Sequence, residues 1–189
     1  DTQLMVKAGG MFAQNRNLES VNVSNWNTGK LQNTSAASGY YGMFMNCAKL
    51  KALDVSGWNT GNVTETVRMF AGCSLLTTID VSGWKTAKIT NMNEMFSGAG
   101  ISQIAVNGSG WDTSNLVYSY GMFEDCANLT EIDLSTWNVS KLEKAFSMFE
   151  NSGLKSIDLS TWDESIVNSV YDMFRNCKAL TTVNLNGWN

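Results

Sequence analysis

Residues 69–96 read MFAGCSLLTTIDVSGWKTAKITNMNEMF, with a Met-Phe pair at each end of the stretch. Further Met-Phe pairs begin at Met11, Met43, Met122, Met148 and Met173. A Trp follows every one of these Met residues by 14 to 16 positions: Trp26, Trp58, Trp84, Trp111, Trp137, Trp162 and Trp188. The period is 25 to 27 residues, apart from one step of 32 between the first two units. A period in that range marks an array of one supersecondary unit, whose members bury their apolar faces only against their neighbours.

Two shorter periods alternate within a unit. Leu76, Ile79, Val81 and Trp84 spell L-x-x-L-x-V-x-x-W, and Leu50, Leu53, Val55 and Trp58 repeat it. The fourth unit carries Ile101, Ile104 and Val106, with two extra residues before Trp111. Alternation in a β-branched run predicts a short strand with one buried face. Parallel strands are expected near 21–23, 53–55, 79–81, 104–106, 132–134, 157–159 and 183–185. Polar turns such as WNTG at 58–61 and WDTS at 111–114 end them. Then Ile89, Met92, Met95, Phe96 and Ala99 fall on one arc at ~100° per residue, and Val63, Val67, Met69, Phe70 and Cys73 nearly do. That stripe predicts a short helix or 3₁₀ segment. The expected fold is therefore an α/β repeat: one solenoid over 1–189, of seven coils with one strand and one short helix each. Its core would hold the seven Trp residues together with Phe44, Phe70, Phe96, Phe123, Phe149 and Phe174.

Composition removes several functions. The net charge is −4 and the pI about 4.8, which disfavours nucleic acid as a partner. No apolar run approaches the length of a membrane span, so membrane insertion by this segment is not expected. The chain has no His, which removes the commonest general base and transition-metal ligand. Ser residues without a base, and carboxylates that recur as one repeated column, give no catalytic arrangement. An enzyme is not expected, nor a cofactor or a metal site. Cys47, Cys73, Cys126 and Cys177 each lie four residues after a Met, where other units have Asn15, Ala99 and Ser152. A column of small residues is a packing position, so free, buried thiols are expected rather than disulfides.

These residues resemble a known family. The co-occurrence of Met-Phe, Cys, Leu, Asp-Val-Ser and Trp at 69–96 is similar to the BspA-type leucine-rich repeats of bacterial surface proteins, found also in mycoplasma and lactobacillus lipoproteins and adhesins. The resemblance covers essentially the whole chain. It implies a solenoid at the bacterial cell surface or secreted, mediating adhesion or protein recognition, and it carries over no catalytic residue. The chain departs from the pattern at 30–42, where about six residues are inserted, and at Ala105-Val106-Asn107, where the Asp-Leu-Ser triplet is lost.

Two surfaces could carry recognition of an extracellular protein or glycan. Asp54, Asp80, Asp133 and Asp158 occupy an outward strand position, with Ser56, Ser82, Ser135 and Ser160 two residues on. Stacked, they would bind cations or a basic, repetitive partner; alternatively, each Asp accepts hydrogen bonds from its own turn. Tyr40 and Tyr41 in the insertion, with Tyr118 and Tyr120 before Met122, suit recognition of protein or glycan, or pack onto their own coils. Thr28, Thr60, Thr86 and Thr113 also form a column, but Val139 and Glu164 break it, against an ice-binding ladder. Finally, Asp1-Thr2 stands in the phase just after a Trp, and Trp188-Asn189 closes in the same phase with no polar cap. The expectation is a stretch of a longer array, or coils that associate end to end between chains as a fibre or stalk.

Overall fold

The structure, a computed structural model, describes residues 2–36, 40–108, 110–162 and 170–188. Asp1, Glu164 and Asn189 lie outside the described residues.

Successive Met-Phe units stack in parallel. Bridges run from Lys7 to Asn33, then to Glu65, Asn91, Tyr118 and Lys144, one unit per step. The Met-Phe peptide itself is an inter-coil link. The amide N–H of Phe12, Phe44, Phe70, Phe96, Phe123 and Phe149 donates to the carbonyl of the next unit's Met at 2.9–3.0 Å. Their rings stack from Phe12 to Phe174 with centroids 5.2 to 5.9 Å apart. Two Trp runs stack beside them, Trp26–Trp58–Trp84 and Trp111–Trp137–Trp162.

The expected helices do not form: no helix occurs among the described residues. The residue before Met is left-handed at Arg68, Glu94, Gly121, Ser147 and Asp172, with φ between 52° and 57°. The third residue after Met is left-handed again, at Gln14, Asn46, Gly72, Gly98, Asp125, Asn151 and Asn176. Two such residues within five positions cannot continue a right-handed helix. They turn the chain so that its amides reach the neighbouring coil instead of the i−4 carbonyl. The apolar stripe is nonetheless buried, with Ile89, Met92, Met95, Phe96 and Ala99 all inside. Its spacing reports burial, and here the backbone that delivers burial is a pair of turns.

Strands are also fewer than expected. Those near 157–159 and 183–185 appear one residue earlier, as β1 (Ser156–Asp158) and β2 (Thr182–Asn184), paired in parallel. The segments near 21–23, 53–55, 79–81, 104–106 and 132–134 form no strand; one parallel bridge, Ser20 to Ala52, lies beside them. The carbonyls that close these segments bond to Trp. Val23 and Val55 each accept the N–H of their own Trp three residues on. They also accept the indole Nε1–H of the next coil's Trp, at 3.2 Å from Trp58 and from Trp84. Val81 and Val106 likewise receive Trp111 and Trp137. Leu159, just after β1, accepts the same two bonds, from Trp162 N and Trp188 Nε1, so they close a segment whether or not it forms a strand.

Trp58, Trp84, Trp111, Trp137 and Trp162 are buried, as are Phe44, Phe70, Phe96, Phe123 and Phe149. Trp26, Phe174 and Trp188 are half-buried, since they lie in the outermost described coils. The four Cys are free; three are buried and Cys177 is half-buried. Each Sγ–H donates to a Phe carbonyl one coil back, as from Cys73 to Phe44 at 3.2 Å. The Thr column is buried too: Thr28 Oγ1 accepts from Asn59 N and donates to Asn59 O, and Thr60 does the same with Lys85.

Candidate functional site

The first face to consider is the strand side of coils two to five. There the chain leaves an open trough of about 1000 Å³, lined by residues 52–54, 56, 78–80, 82, 103–105, 107 and 131–133. The inward members Leu53 and Ile79 anchor it in the core. Ala52, Thr78, Gln103 and Glu131 form one exposed row along its floor. Asp54, Asp80, Ala105 and Asp133 form a second, and Ser56, Ser82 and Asn107 a third. Ile104 and Ile132 are half-buried and add apolar surface in the middle. No Lys or Arg lines the trough.

Each Asp first closes its own turn. Asp54 Oδ1 accepts from Ser56 N at 3.1 Å and Ser56 Oγ at 2.7 Å, and Asp80 Oδ1 from Ser82 at 3.0 and 2.7 Å. Asp133 and Asp158 accept from Ser135 N and Ser160 N. Asn22 and Asn184 take the same role in the first and last units, so the turn needs an acceptor and not a charge. The serine hydroxyl, then its backbone N–H, holds Asp80, Asp133 and Asp158 below the usual carboxylate range. The second oxygen is used differently along the row. Asp133 Oδ2 accepts from Asn107 Nδ2 and Asp158 Oδ2 from Asn184 Nδ2. Among the described residues, Oδ2 of Asp54 and of Asp80 accepts no hydrogen bond, and Glu131 forms none.

Tyr40, Tyr41, Tyr118 and Tyr120 lie elsewhere and none lines the trough. Tyr40 and Tyr41 are exposed on the insertion, which an antiparallel bridge from Ser35 to Gly42 pinches at its base. Arg68 sits over the Tyr40 ring at 6.0 Å. Tyr118 belongs to the parallel bridge column, beneath Lys144 Nζ at 5.4 Å. Tyr120 stacks on Phe146, and Phe146 on Tyr171, at 4.5 and 4.6 Å. Phe146 and Tyr171 are members of this column that the sequence reading passed over. Burial, with Glu94 beside it, pushes the Tyr120 hydroxyl up to about 12. Arg68 links the two pairs, since it lies over Tyr40 and grips the Glu94 that stands beside Tyr120.

A charged corner flanks the Met-Phe column. Arg68 grips Glu94 with two nitrogens at 2.7 and 2.8 Å, and Arg175 pairs with the buried Glu150 at 2.6 Å. Between them Glu124 is pushed up by burial and by Asp125, Glu150 and Glu94. Among the described residues no group of His, Cys, Asp and Glu could hold a metal ion, and no helix is long and apolar enough to cross a membrane.

A family model described as "Mycoplasma protein of unknown function, DUF285" matches residues 1–38, 38–152 and 73–188. The chain belongs to that DUF285 family. The second and third matches overlap over residues 73–152. Among curated proteins none matches this chain. A solved structure, the functional domain of InlJ from Listeria monocytogenes, which includes a cysteine ladder, is similar at 14% identity and a TM-score of 0.23. The similarity covers 91% of this chain and 52% of that one, so the chain spans about half of its length.

Proposed function

We propose that this DUF285 chain is a non-catalytic recognition module of the BspA-type leucine-rich-repeat class, displayed at a bacterial surface or secreted, and that it adheres to a protein partner through its strand face. The observation that carries this reading is the trough: an open, unpartnered concavity built from the outward positions of four consecutive units. It joins exposed polar rows to half-buried Ile104 and Ile132, the mixture that protein recognition uses. Absence of His supports the non-catalytic part.

Beads coated with the chain should adhere to host-cell layers. Thr78→Arg with Gln103→Arg, which fills the trough, should abolish adhesion, whereas Lys88→Ala on another face should not. Protease treatment of the cells should remove the partner and periodate should not. Adhesion indifferent to the trough substitutions would sink this reading.

A second reading, end-to-end assembly into a fibre or stalk, draws on an open apolar hollow of about 510 Å³ beside Met173, Phe174, Leu185 and Trp188. Light scattering should then show oligomers that grow with concentration and vanish on Leu185→Glu or Met11→Glu. A monomer at every concentration would exclude it.

A further inference from the structure

We infer that the trough takes an extended, basic peptide segment lying along the array, across the strands, with two Lys or Arg side chains about four positions apart and an apolar residue between them. The inference rests on the recognition reading above and specifies the partner's chemistry. Three separate observations carry it.

The first is charge. Asp54, Asp80, Glu131 and Asp133 line the trough and no cationic side chain does, so a neutral or acidic partner would leave these carboxylates without a counter-charge. The second is the division of labour within each carboxylate. Oδ1 is committed to the turn, while Oδ2 of Asp54 and Asp80 faces no donor among the described residues. An incoming ammonium or guanidinium can bond there without breaking the turn. The third is the interruption of the row at Ala105. It divides the acids into Asp54 with Asp80 on one side and Asp133 with Glu131 on the other, and places Ile104 and Ala105 between.

Coil spacing turns that division into a length. At about 4.8 Å per coil the midpoint of the first pair lies roughly 12 Å from the second. An extended chain covers that in about four residues, whose side chains then point to the same face. The apolar residue midway meets Ile104 and Ala105. A bare divalent ion would gain nothing from that apolar step.

The test uses the chain with a short fluorescent peptide, uncharged except for two lysines about four positions apart, with isoleucine midway. Fluorescence anisotropy at low salt should show saturable binding that weakens as salt rises. Asp54→Asn with Asp80→Asn should weaken it roughly three- to tenfold. The melting temperature should hardly move, because Asn already closes the same turn at Asn22 and Asn184. Moving the lysines next to each other should also weaken binding. No binding, binding equal in the Asn variant, or displacement by calcium at concentrations matching the peptide would each overturn the inference. Should Thr78→Arg with Gln103→Arg abolish cell adhesion while the Asn variant adheres fully, the face still recognises a protein and only the basic chemistry is wrong.

Discussion

At the scale of single residues, each repeated side chain has one acceptor or ring to satisfy in the next coil. Trp84 is the fullest case, buried, stacked on Trp58 and bonded to Val55 O. Trp84→Ala should cost about 3–5 kcal/mol in urea unfolding, since it removes the ring and leaves a cavity in a continuous core. The acidic residues divide by the direction of their shift. Asp80, Asp133 and Asp158 titrate below the unfolded value of 3.8, so their contribution is complete above that pH. It disappears as pH falls through their lowered folded values. Glu124 is shifted upward, so ionised it opposes folding, and that opposition is relieved as pH falls through its raised value. Glu124→Gln should therefore raise the melting temperature at neutral pH, by about 1 °C because solvent screens a half-buried side chain. The gain should vanish below the carboxylate range, where the wild-type residue is itself protonated. A stabilisation equal at both pH values would show that packing and not charge is responsible.

At the scale of elements, the turns at the Met-Phe corner replace the helix that hydrophobic spacing predicts. Gly98 tests them. Its φ is 64°, and a Cβ built there would meet nothing closer than Gly72 backbone at 3.8 Å, so conformation and not space is the constraint. Gly98→Ala should cost about 1–2 kcal/mol, and Gly98→Asn less, because Asn46, Asn151 and Asn176 fill the same left-handed column. Equal losses in thermal melts would mean the corner is not left-handed. The signal was available in the sequence. Gly or Asn recurs three residues after Met at Asn46, Gly72, Gly98, Asn151 and Asn176, a pattern that breaks helices whatever the apolar period says. Strand burial was legible from alternation at Leu53-Asp54-Val55. The shortage of strands was not, since the same alternation runs through the segments that form β1 and β2 and through those that form none. Likewise the Asp row was legible as a column, but only coordinates separate the oxygen that closes the turn from the one left over.

At the scale of the molecule, periodic sequence makes residues of equal phase neighbours in space. Stability then arises between adjacent coils, and extended surfaces from rows that no single unit possesses. The trough is such a row, and its charge division at Ala105 exists only because Asp80 and Asp133 flank it in consecutive coils. All of this stands on the parallel stacking of units. Spin labels test it directly at Ser20, Gln103, Glu131 and Thr182, exposed members of one outward row in coils one, four, five and seven. Pulsed electron–electron resonance from Ser20 to each of the others should give distances rising nearly in proportion to coil number, about 14, 19 and 29 Å at roughly 4.8 Å per coil. Distances that fail to rise in that order, with Thr182 as near to Ser20 as Gln103 is, would contradict the stacked array.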